Sequence, residues 1–454
     1  MSDLRSFLAE LKKSRPSDLL EIEHEVDPRY ETAAIVAKLE AHHRTPVVVF
    51  KKVKGSAWPV VSNVCGSTGR LALALGCGLK DLSARWAEAC DKPIPPVLVT
   101  AAPVHEVVHQ GAAVDLATLP ALVYHEHDTL QPYVTGGVVA ARDPNTGKIN
   151  LSYHRLMIAS RNTTGICIEP GKHLDRIRAA YEAKGQAMPI AVFLGHHPAW
   201  SLGTLYSGSA DVEEYDVIGG LLRAPLSVVP CVSQPSLVVP AQAEVVLEGF
   251  VAPGSRIPEG PFGEFTGYGT GATTTPVFTV TALTHRKDPI FQDVVSGHME
   301  HLVLPMLALE YRAFKEAKEA SPNVTQVALG APLSVIVAVK KARDEEPGEI
   351  IRHLLEGDIY TKQVIVVDAE VDPKDFRQVL QAMALHVQAD RQVFIRPNMQ
   401  GTPLDPSCPT PDGKVAKLGI DATRSLSQSR SVTRNSIKKE VWDRIDVNAL
   451  LRRP

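Results

Sequence analysis

Two glutamates, Glu259 and Glu264, stand five residues apart in the segment RIPEGPFGEFTGYGTG. This segment is too rich in glycine and proline to form a helix, so a tight turn can bring the two carboxylates together. Two carboxyl groups beside an arginine can have different pKa values, so that one is protonated while the other is ionised. Acid–base catalysis requires such a pair. The alternative interpretation is a pair of solvated loop glutamates, which is the commoner fate of this residue type.

A second candidate is the strand-like segment INLSYHRLMI, residues 149–158. Side chains alternate along a strand, so one face carries an amide, a hydroxyl and an imidazole: Asn150, Ser152 and His154. Such a face suits a bound ion or phosphate, although a solvated face of an antiparallel strand explains it equally well. Arg155 falls on the opposite face, so a bulge or the end of the strand must turn it before it can join the polar set.

A third set has the chemistry of a metal site, with one amide, one imidazole and one carboxylate: Asn150, His173 and Glu214. These donors suit a divalent ion such as Mn²⁺ or Mg²⁺ that also binds a phosphate oxygen, and they lack the thiolates of structural zinc. Other histidines compete as ligands, namely His125, His127, His196 and His197. A metal-dependent hydrolase built on those histidines is therefore an alternative function.

The composition narrows the class of partner. The 454-residue chain has 48 Lys and Arg against 51 Asp and Glu, a formal net charge of −3. This balance gives no electrostatic signature for nucleic acid or an anionic membrane, so we expect a small-molecule partner. The chain shows neither a signal-peptide pattern nor a run of ~18 apolar residues, which predicts a cytoplasmic protein. Six scattered cysteines without a CxxC pair indicate reduced thiols.

The elements that must position these residues change in character along the chain. The N-terminal part reads as α/β, with Asp27 predicted to cap a helix that starts at Pro28. β-Type runs such as AEVVLEGFV then dominate to about residue 295, interrupted by a helix predicted to begin at about His173 and to be closed by Gly185. The remainder alternates strands and helices, which indicates βαβ units around a parallel sheet. The amphipathic last segment could dock on a partner subunit or pack on its own domain.

Taken in order, seven segments resemble the UbiD family of decarboxylases, which use prenylated FMN: RDPNTGKINLSYHRLMI, GKHLDRI, EEYDVIGGLLRAPL, LEGFVAPGSRIPEGPFGEFTGY, YTKQVIVVDAEVDPKDF, GTPLDPS and KLGIDAT. The resemblance covers nearly the whole chain and implies a mixed α/β and α+β multidomain fold. Its expected parts are an N-terminal α/β region (1–110), a central split β-barrel of the flavin-reductase type that binds the cofactor (111–300), a linker helix (301–325), and a C-terminal α/β domain with an oligomerisation helix (326–454).

The resemblance also implies roles for individual residues. Its divalent-ion ligands fall on Asn150, His173 and Glu214, and its catalytic residues fall on Arg155, Glu259 and Glu264. A lysine that binds the cofactor phosphate falls on Lys362. The wall of the flavin site is expected to include Ser152, Tyr153, His154, Arg155 and Lys172. The implied cofactors are prenylated FMN and a divalent metal, Mn²⁺ ahead of Mg²⁺, with K⁺ as a further candidate.

The implied reaction is a reversible, non-oxidative decarboxylation of an aromatic, heteroaromatic or α,β-unsaturated acid. Arg155 would bind the carboxylate, Glu259 would fix Arg155, and Glu264 would donate the proton. The segment SGHMEHLVLPM (296–306) is expected to line the substrate pocket. Expected partners are the acid substrate, a flavin prenyltransferase that supplies the cofactor, and a second copy of the chain in a homodimer or a multiple of one. A non-catalytic subunit of a larger carboxylase complex is a further alternative, and the presence of all three catalytic residues argues against it.

Overall fold

The structure is a computed structural model that describes residues 3–208, 212–408, 413–427, 435, 437–447 and 450. Within that part of the chain, none of the helices is both long enough and apolar enough to span a membrane.

The N-terminal region is a small α/β unit. Its elements are α1 (Leu4–Ser14), β1 (Leu19–Val26), α2 (Glu31–Ala41), β2 (Val47–Val53), β3 (Val60–Ser62), α3 (Thr68–Ala74) and α4 (Leu82–Asp91). β1 and β2 pair in parallel, and β2 and β3 pair antiparallel. Helix α1 packs its apolar stripe of Leu4, Phe7 and Leu11 into the same core as the central sheet, so this region is joined to the next rather than separate from it.

The predicted start of α2 is wrong by three residues, because the helix begins at Glu31 and not at Pro28. The Asp27 side chain instead accepts from the backbone N–H of Arg29 and closes a turn. Tyr30 then adopts a left-handed conformation (φ 69°) and donates its N–H to the carbonyl of Val123. A long-range backbone bond therefore delays the helix, and no local signal shows it.

The central region contains the large sheet. Its elements are β4 (Val97–Leu98), β5 (Val107–Gln110), β6 (Tyr133–Val134), β7 (Val138–Arg142), β8 (Ile149–Tyr153), β9 (Leu156–Ile158), β10 (Thr163–Ile166), α5 (His173–Ala183), β11 (Met188–Leu194), α6 (Pro198–Gly203), α7 (Glu214–Leu222), β12 (Ser227–Pro230), β13 (Val238–Pro240), β14 (Val245–Glu259), β15 (Phe262–Gly263), β16 (Gly269–Thr270), β17 (Thr273–His285) and β18 (Phe291–Asp293). As predicted, α5 begins at His173, and Gly185 follows its end with φ 63°.

The middle of the main sheet, around β7 and β11, is buried on both faces. Its strand order is β6-β9-β10-β17-β14-β11-β7-β8, and neighbouring strands are antiparallel. In β7, Val138 and Ala140 belong to one apolar cluster while Val139 and Ala141 belong to the other. Because alternate residues of a strand point to opposite faces, a sheet covered on both sides requires apolar residues at every position.

The chain connection between β8 and β9 shows that this sheet is curled. β8 ends the strand order on one side, and β9 is next to the last strand on the other side. Six strand spacings of ~4.8 Å would separate them by roughly 29 Å in a flat sheet. Only His154 and Arg155 connect them, and such a link spans at most about 11 Å between Cα atoms. The sheet must therefore curl into a half-barrel, and Arg155 lies where its two ends approach.

The chain returns from the central sheet to the N-terminal sheet before the last part begins. β18 pairs in parallel with β3, and the Asp293 carboxylate at its end accepts from the Ser62 hydroxyl at 3.0 Å. The following elements are α8 (Met299–Ala320), β19 (Val324–Ala331), β20 (Ser334–Val339), α9 (Glu346–Gly357), β21 (Gln363–Asp368), α10 (Phe376–His386), α11 (Ala389–Gln392), β22 (Val393–Gln400), β23 (Lys414–Ala422) and α12 (Lys439–Arg444).

The C-terminal sheet confirms the predicted βαβ arrangement. Its order is β19-β20-β21-β23-β22, with β20, β21 and β23 parallel and the two outer strands antiparallel. Helix α9 crosses between β20 and β21 and buries Ile350, Ile351 and Leu354 against the sheet. Beyond this sheet, α12 buries none of its side chains, and Trp442 is 69% exposed.

Candidate active site

The centre of the site is the guanidinium of Arg155. Its Nε and Nη2 atoms donate to the two carboxylate oxygens of Glu259 at 2.9 and 3.0 Å, and its Nη1 atom donates to Glu264. Glu259 is 1% exposed and also accepts from the Tyr133 hydroxyl at 2.8 Å. The Phe262 ring lies 4.8 Å from the guanidinium carbon. A two-pronged charged pair in this dry, aromatic setting is both strong and fixed in orientation.

Three separate chain segments bring these groups together. Arg155 lies in the two-residue link after β8. Because the strand has ended there, the alternation of β8 no longer directs the Arg155 side chain to the face opposite Asn150. Glu259 is the last residue of β14, and Glu264 follows β15 directly. The Glu264 N–H donates to the carbonyl of Tyr268 at 2.9 Å, which closes the glycine-rich segment as a tight turn. The structure therefore brings both glutamates onto one arginine.

The two glutamates have different surroundings. Glu259 has a fixed partner for each oxygen, whereas Glu264 accepts one bond from Arg155 and its side chain is 14% exposed. Burial raises the pKa of Glu264 above its ordinary value, although the charge of Arg155 opposes this. The bond from Glu259 holds the pKa of Arg155 above its usual range in spite of burial, so the guanidinium stays charged. This arrangement leaves a charged Arg155 anchored by Glu259 and a carboxyl at Glu264 that can carry a proton.

Asp128 holds the Glu264 turn in place, a role that the sequence did not predict. Its Oδ1 atom accepts from the backbone N–H of Gly263 at 2.7 Å, and its Oδ2 atom lies 3.0 Å from both the backbone nitrogen and Nδ1 of His125. Thr129 adds a backbone bond to Pro261. Asp128 directly follows His127, so it lies next to the histidines that the sequence offers as alternative metal ligands.

The segment after β18 lies on the other side of the turn. The Ser296 hydroxyl donates to the carbonyl of Gly263 at 2.7 Å and lies 3.1 Å from Nδ1 of His301. Burial, with the nearby charge of Arg155, lowers the pKa of His301 to about 4, so this ring is neutral. His298 is held by Glu40 at 2.8 Å. These contacts place the first residues of the 296–306 segment beside the Glu264 turn, and its role in lining the pocket stays a prediction.

The polar face of β8 forms a directed hydrogen-bond chain. His154 must donate from Nδ1 to the carbonyl of Cys167 at 2.8 Å, because a carbonyl only accepts. Burial lowers the pKa of His154 to about 4, so its Nε2 atom is free to accept from the Ser152 hydroxyl at 3.0 Å. Ser152 in turn accepts from the Asn150 amide nitrogen at 3.1 Å. This orientation leaves the Asn150 amide oxygen available as a ligand.

The donor set of Asn150, His173 and Glu214 fits a divalent cation. Helices α5 and α7, which begin at His173 and Glu214, both pack against β8. Glu214 is 6% exposed, accepts from the backbone N–H of Leu151 at 3.1 Å, and has its pKa raised by burial to about 8. A bound divalent ion would offset the cost of this buried carboxylate. Partial burial, with the charges of Arg176 and Lys172, lowers the pKa of His173, which favours the neutral imidazole that binds metals.

Three other candidate cofactor residues lie in different settings. The Lys172 ammonium lies 4.9 Å from the Tyr360 ring, at the start of α5. Lys362 bonds Asp405 at 2.6 Å and also contacts Ser407, so its predicted role at the phosphate would require it to exchange or share those partners. Tyr153 packs its ring with the core on the opposite face of β8, which leaves its backbone as the part that can contact a cofactor.

The competing histidines lie in separate environments. His196 and His197 are buried near Phe193 and Phe7, and burial lowers their pKa values to about 4 and about 3. His127 is exposed. Across the described ranges, no group of three or more His, Cys, Asp and Glu side chains could hold a metal ion. The geometry therefore does not support a hydrolase built on these histidines.

Comparison with known proteins shows which family the chain is similar to. Three domain models of 3-octaprenyl-4-hydroxybenzoate carboxy-lyase match the chain: the N-terminal domain at residues 11–90, the Rift-related domain at 97–299 and the C-terminal domain at 306–422. A phenolic acid decarboxylase of Sedimentibacter hydroxybenzoicus is 33% identical over 447 residues, which cover 93% of this chain and 91% of the relative. The chain belongs to the UbiD family.

Other UbiD relatives match over nearly their whole length. An anhydromevalonate phosphate decarboxylase of Methanothermobacter thermautotrophicus is 31% identical, with 95% of this chain and 99% of the relative covered. The UbiD-class enzyme HmfF of Pelotomaculum thermopropionicum, solved in complex with FMN, has a TM-score of 0.91 and 34% identity, with 99% of this chain and 100% of that chain covered. An evolved dimeric form of HmfF was solved with prenylated FMN.

The surroundings of Glu264 predict a specific pH dependence. If its protonated form is required, kcat/KM must fall as the pH rises through the raised pKa of Glu264, which lies above the ordinary ~4.3. Asp128→Ala releases the turn and admits water, so it should move this inflection toward the ordinary value. The exposed Asp288→Ala variant is the control and should leave the profile unchanged. Measured kcat/KM that rises with pH over this range would contradict the assignment.

Proposed function

We propose that this chain is a non-oxidative decarboxylase of an aromatic, heteroaromatic or α,β-unsaturated carboxylic acid that uses prenylated FMN. The observation that carries the proposal is Arg155, whose side chain is 10% exposed, held between Glu259 and Glu264. The named activities of the relatives, on phenolic acids and on anhydromevalonate phosphate, support the class of substrate. HmfF bound to FMN and to prenylated FMN supports the cofactor. The reaction is reversible in principle, and the proposal covers both directions.

The chain has polar residues that could bind the phosphate end of the cofactor. Asn150, His173 and Glu214 would hold a divalent ion, Mn²⁺ ahead of Mg²⁺, against the flavin phosphate, with K⁺ as a further candidate ion. Ser152, His154, Lys172 and Lys362 would complete the polar end, and the N-terminus of α5 favours a phosphate there. When bound, the modified flavin supplies the electron sink that loss of CO₂ from an sp² carbon needs and that no side chain provides.

The chain's own residues then bind the substrate and supply the proton. The substrate carboxylate would take the Nη1 side of Arg155, where Glu264 now bonds, while Glu259 keeps its two-pronged hold on the other side. An anionic carboxylate beside Glu264 favours the neutral form of that residue, because like charges raise a carboxyl pKa. Glu264 would therefore enter the reaction protonated, donate its proton to the carbon that has lost CO₂, and take up a new proton from water before the next turnover. Tyr133 and Phe262 exclude water from the anchor.

The most direct test of this function uses Glu264→Gln. The amide keeps the shape of the side chain but cannot donate the proton, so decarboxylation should fall by ~10²–10⁴ in protein expressed with a flavin prenyltransferase. Flavin content should be unchanged. The matched control is Glu345→Gln at a residue that is 73% exposed, which should keep full activity. The substrate is identified with a panel of phenolic, furan and α,β-unsaturated acids. If the wild-type protein turns over the substrate equally well whether or not it was expressed with the prenyltransferase, the proposal is contradicted.

A second prediction concerns the metal and phosphate end. His173→Ala and Glu214→Ala should each lower the flavin bound per chain by at least about tenfold, because each removes one of the three proposed ligands. Lys184→Ala, at the exposed end of α5, is the control. Flavin is read from absorbance and metal from elemental analysis, with circular dichroism to show that the variants are folded. Full occupancy in both ligand variants would overturn the clamp.

The proposed assembly is a homodimer or a multiple of one, formed through the tail predicted from Ser436 to Leu451. Residues 436, 448, 449 and 451 lie outside the described residues. The described part exposes apolar side chains that a partner would cover: Ile437, Val441, Trp442, Ile445, Val447 and Leu450. Dimeric HmfF supports the proposal by similarity. The cytoplasmic location and the prenyltransferase as supplier of the cofactor remain predictions.

The tail is tested by removing it. A chain that ends at Ser429 should lose its oligomeric state or aggregate, because the surface that receives the tail is left uncovered. The control is the full-length Lys439→Ala variant, which changes an exposed charge on the same helix. Light scattering gives the mass of each. A truncated chain with the same number of subunits as the full-length protein would refute the docking role of the tail.

A further inference from the structure

Tyr360 is the point at which the C-terminal domain reaches the site. It lies in the loop between α9 and β21, and its side chain extends to the central half-barrel. The Lys172 ammonium lies 4.9 Å from its ring centroid, and the Phe265 ring lies at 6.3 Å and 57°. Its hydroxyl donates to the Glu169 carboxylate. One side chain therefore contacts two turns that are far apart in sequence.

Both turns carry a residue of the proposed mechanism. Lys172 directly precedes His173, the imidazole of the proposed cation site, and its N–H bonds the carbonyl of Glu169 within the turn. Phe265 directly follows Glu264, and its ring also meets the neutral His301 ring at 6.0 Å. The hydroxyl of Tyr360 reaches only the 169–173 turn, through Glu169, whereas the ring contacts both turns, through Lys172 and Phe265.

Tyr360 is itself held firmly by its own domain. Its hydroxyl also hydrogen-bonds the side chain of Thr402, which is 1% exposed. Its backbone N–H donates to Asp358 at 3.1 Å, and Asp358 pairs with Arg312 of α8. The segment GTPLDPS, residues 401–407, thus supports the loop that carries Tyr360. A side chain anchored in this way moves with its domain, so the position of the C-terminal domain affects the two turns that Tyr360 contacts.

We propose that Tyr360 is a positioning residue that couples the C-terminal domain to both the Glu264 turn and the 169–173 turn. The effect of Tyr360 on catalysis rests on the proposed function, whereas the coupling between the domains is a property of the fold. With Tyr360 in place, the proton donor and the cation site keep a fixed separation. Without it, each turn is free to move, and a displacement of about 1 Å at the reacting groups is costly.

The coupling is tested by hydrogen–deuterium exchange on the full-length protein without substrate. Tyr360→Ala removes the ring and the hydroxyl, so exchange should rise at least about tenfold in both segments, 167–175 and 262–270. Tyr360→Phe removes only the hydroxyl and keeps the ring, so exchange should rise in 167–175 alone. Tyr311→Phe is the control, since this tyrosine of α8 also has a lysine ammonium near its ring, at 5.6 Å from Lys315.

Exchange that is unchanged in both segments of Tyr360→Ala would overturn the proposal, and so would an equal rise in both segments of Tyr360→Phe. In flavin-loaded protein, Tyr360→Ala should lower kcat by about ten- to a hundredfold and change KM much less, because Arg155 still binds the carboxylate. A rise in KM at constant kcat would contradict a positioning role. If the chain decarboxylates none of the acids tested, the exchange result still decides the coupling, so the two failures are distinguishable.

Discussion

The structure depends on one largely buried ion pair, the two-pronged contact between Arg155 and Glu259. Burying either charge alone would cost several kcal/mol, so each requires the other, and Tyr133 supplies a further hydrogen bond to the carboxylate. Because Glu259 alone neutralises the guanidinium, Glu264 is not needed as a counter-ion. Glu264 can therefore take a proton while the pair beneath it stays intact. The same pair keeps a positive charge aimed at the place where an acid would bind.

The fold makes this pair possible through the curl of the central sheet. The link from β8 to β9 holds only His154 and Arg155, and it joins strands at opposite sides of the strand order. Arg155 is thus placed where the ends of the half-barrel meet, next to the end of β14. The same strand β8 carries Asn150 and its hydrogen-bond partners, so one short strand joins the proposed metal end of the site to the catalytic end.

The sequence could predict the parts of this arrangement that local patterns determine. The helix at His173, the glycine that follows it and the C-terminal βαβ order follow from capping and periodicity, and the site residues came from similarity of short motifs. The helix after Asp27 was misplaced, since a backbone bond from Tyr30 to Val123 decides where it starts. Asp128 and Tyr360 were missed for the same physical reason, because each acts on a turn that is distant in the chain. Spacing predicted that the glutamates could converge and the resemblance implied that Glu259 holds Arg155, but only the tertiary structure shows that Arg155 also bonds Glu264.

The role of the Arg155–Glu259 pair is tested by a crystal structure of flavin-loaded Glu264→Gln protein with a bound acid from the substrate panel. We expect the acid's carboxylate to lie within about 3 Å of Arg155, with Glu259 still paired to the same guanidinium. The amide introduced at position 264 should then lie beside the carbon that carries the carboxylate. A carboxylate bound away from Arg155, or a Glu259 side chain that has left Arg155 in the loaded protein, would contradict the account.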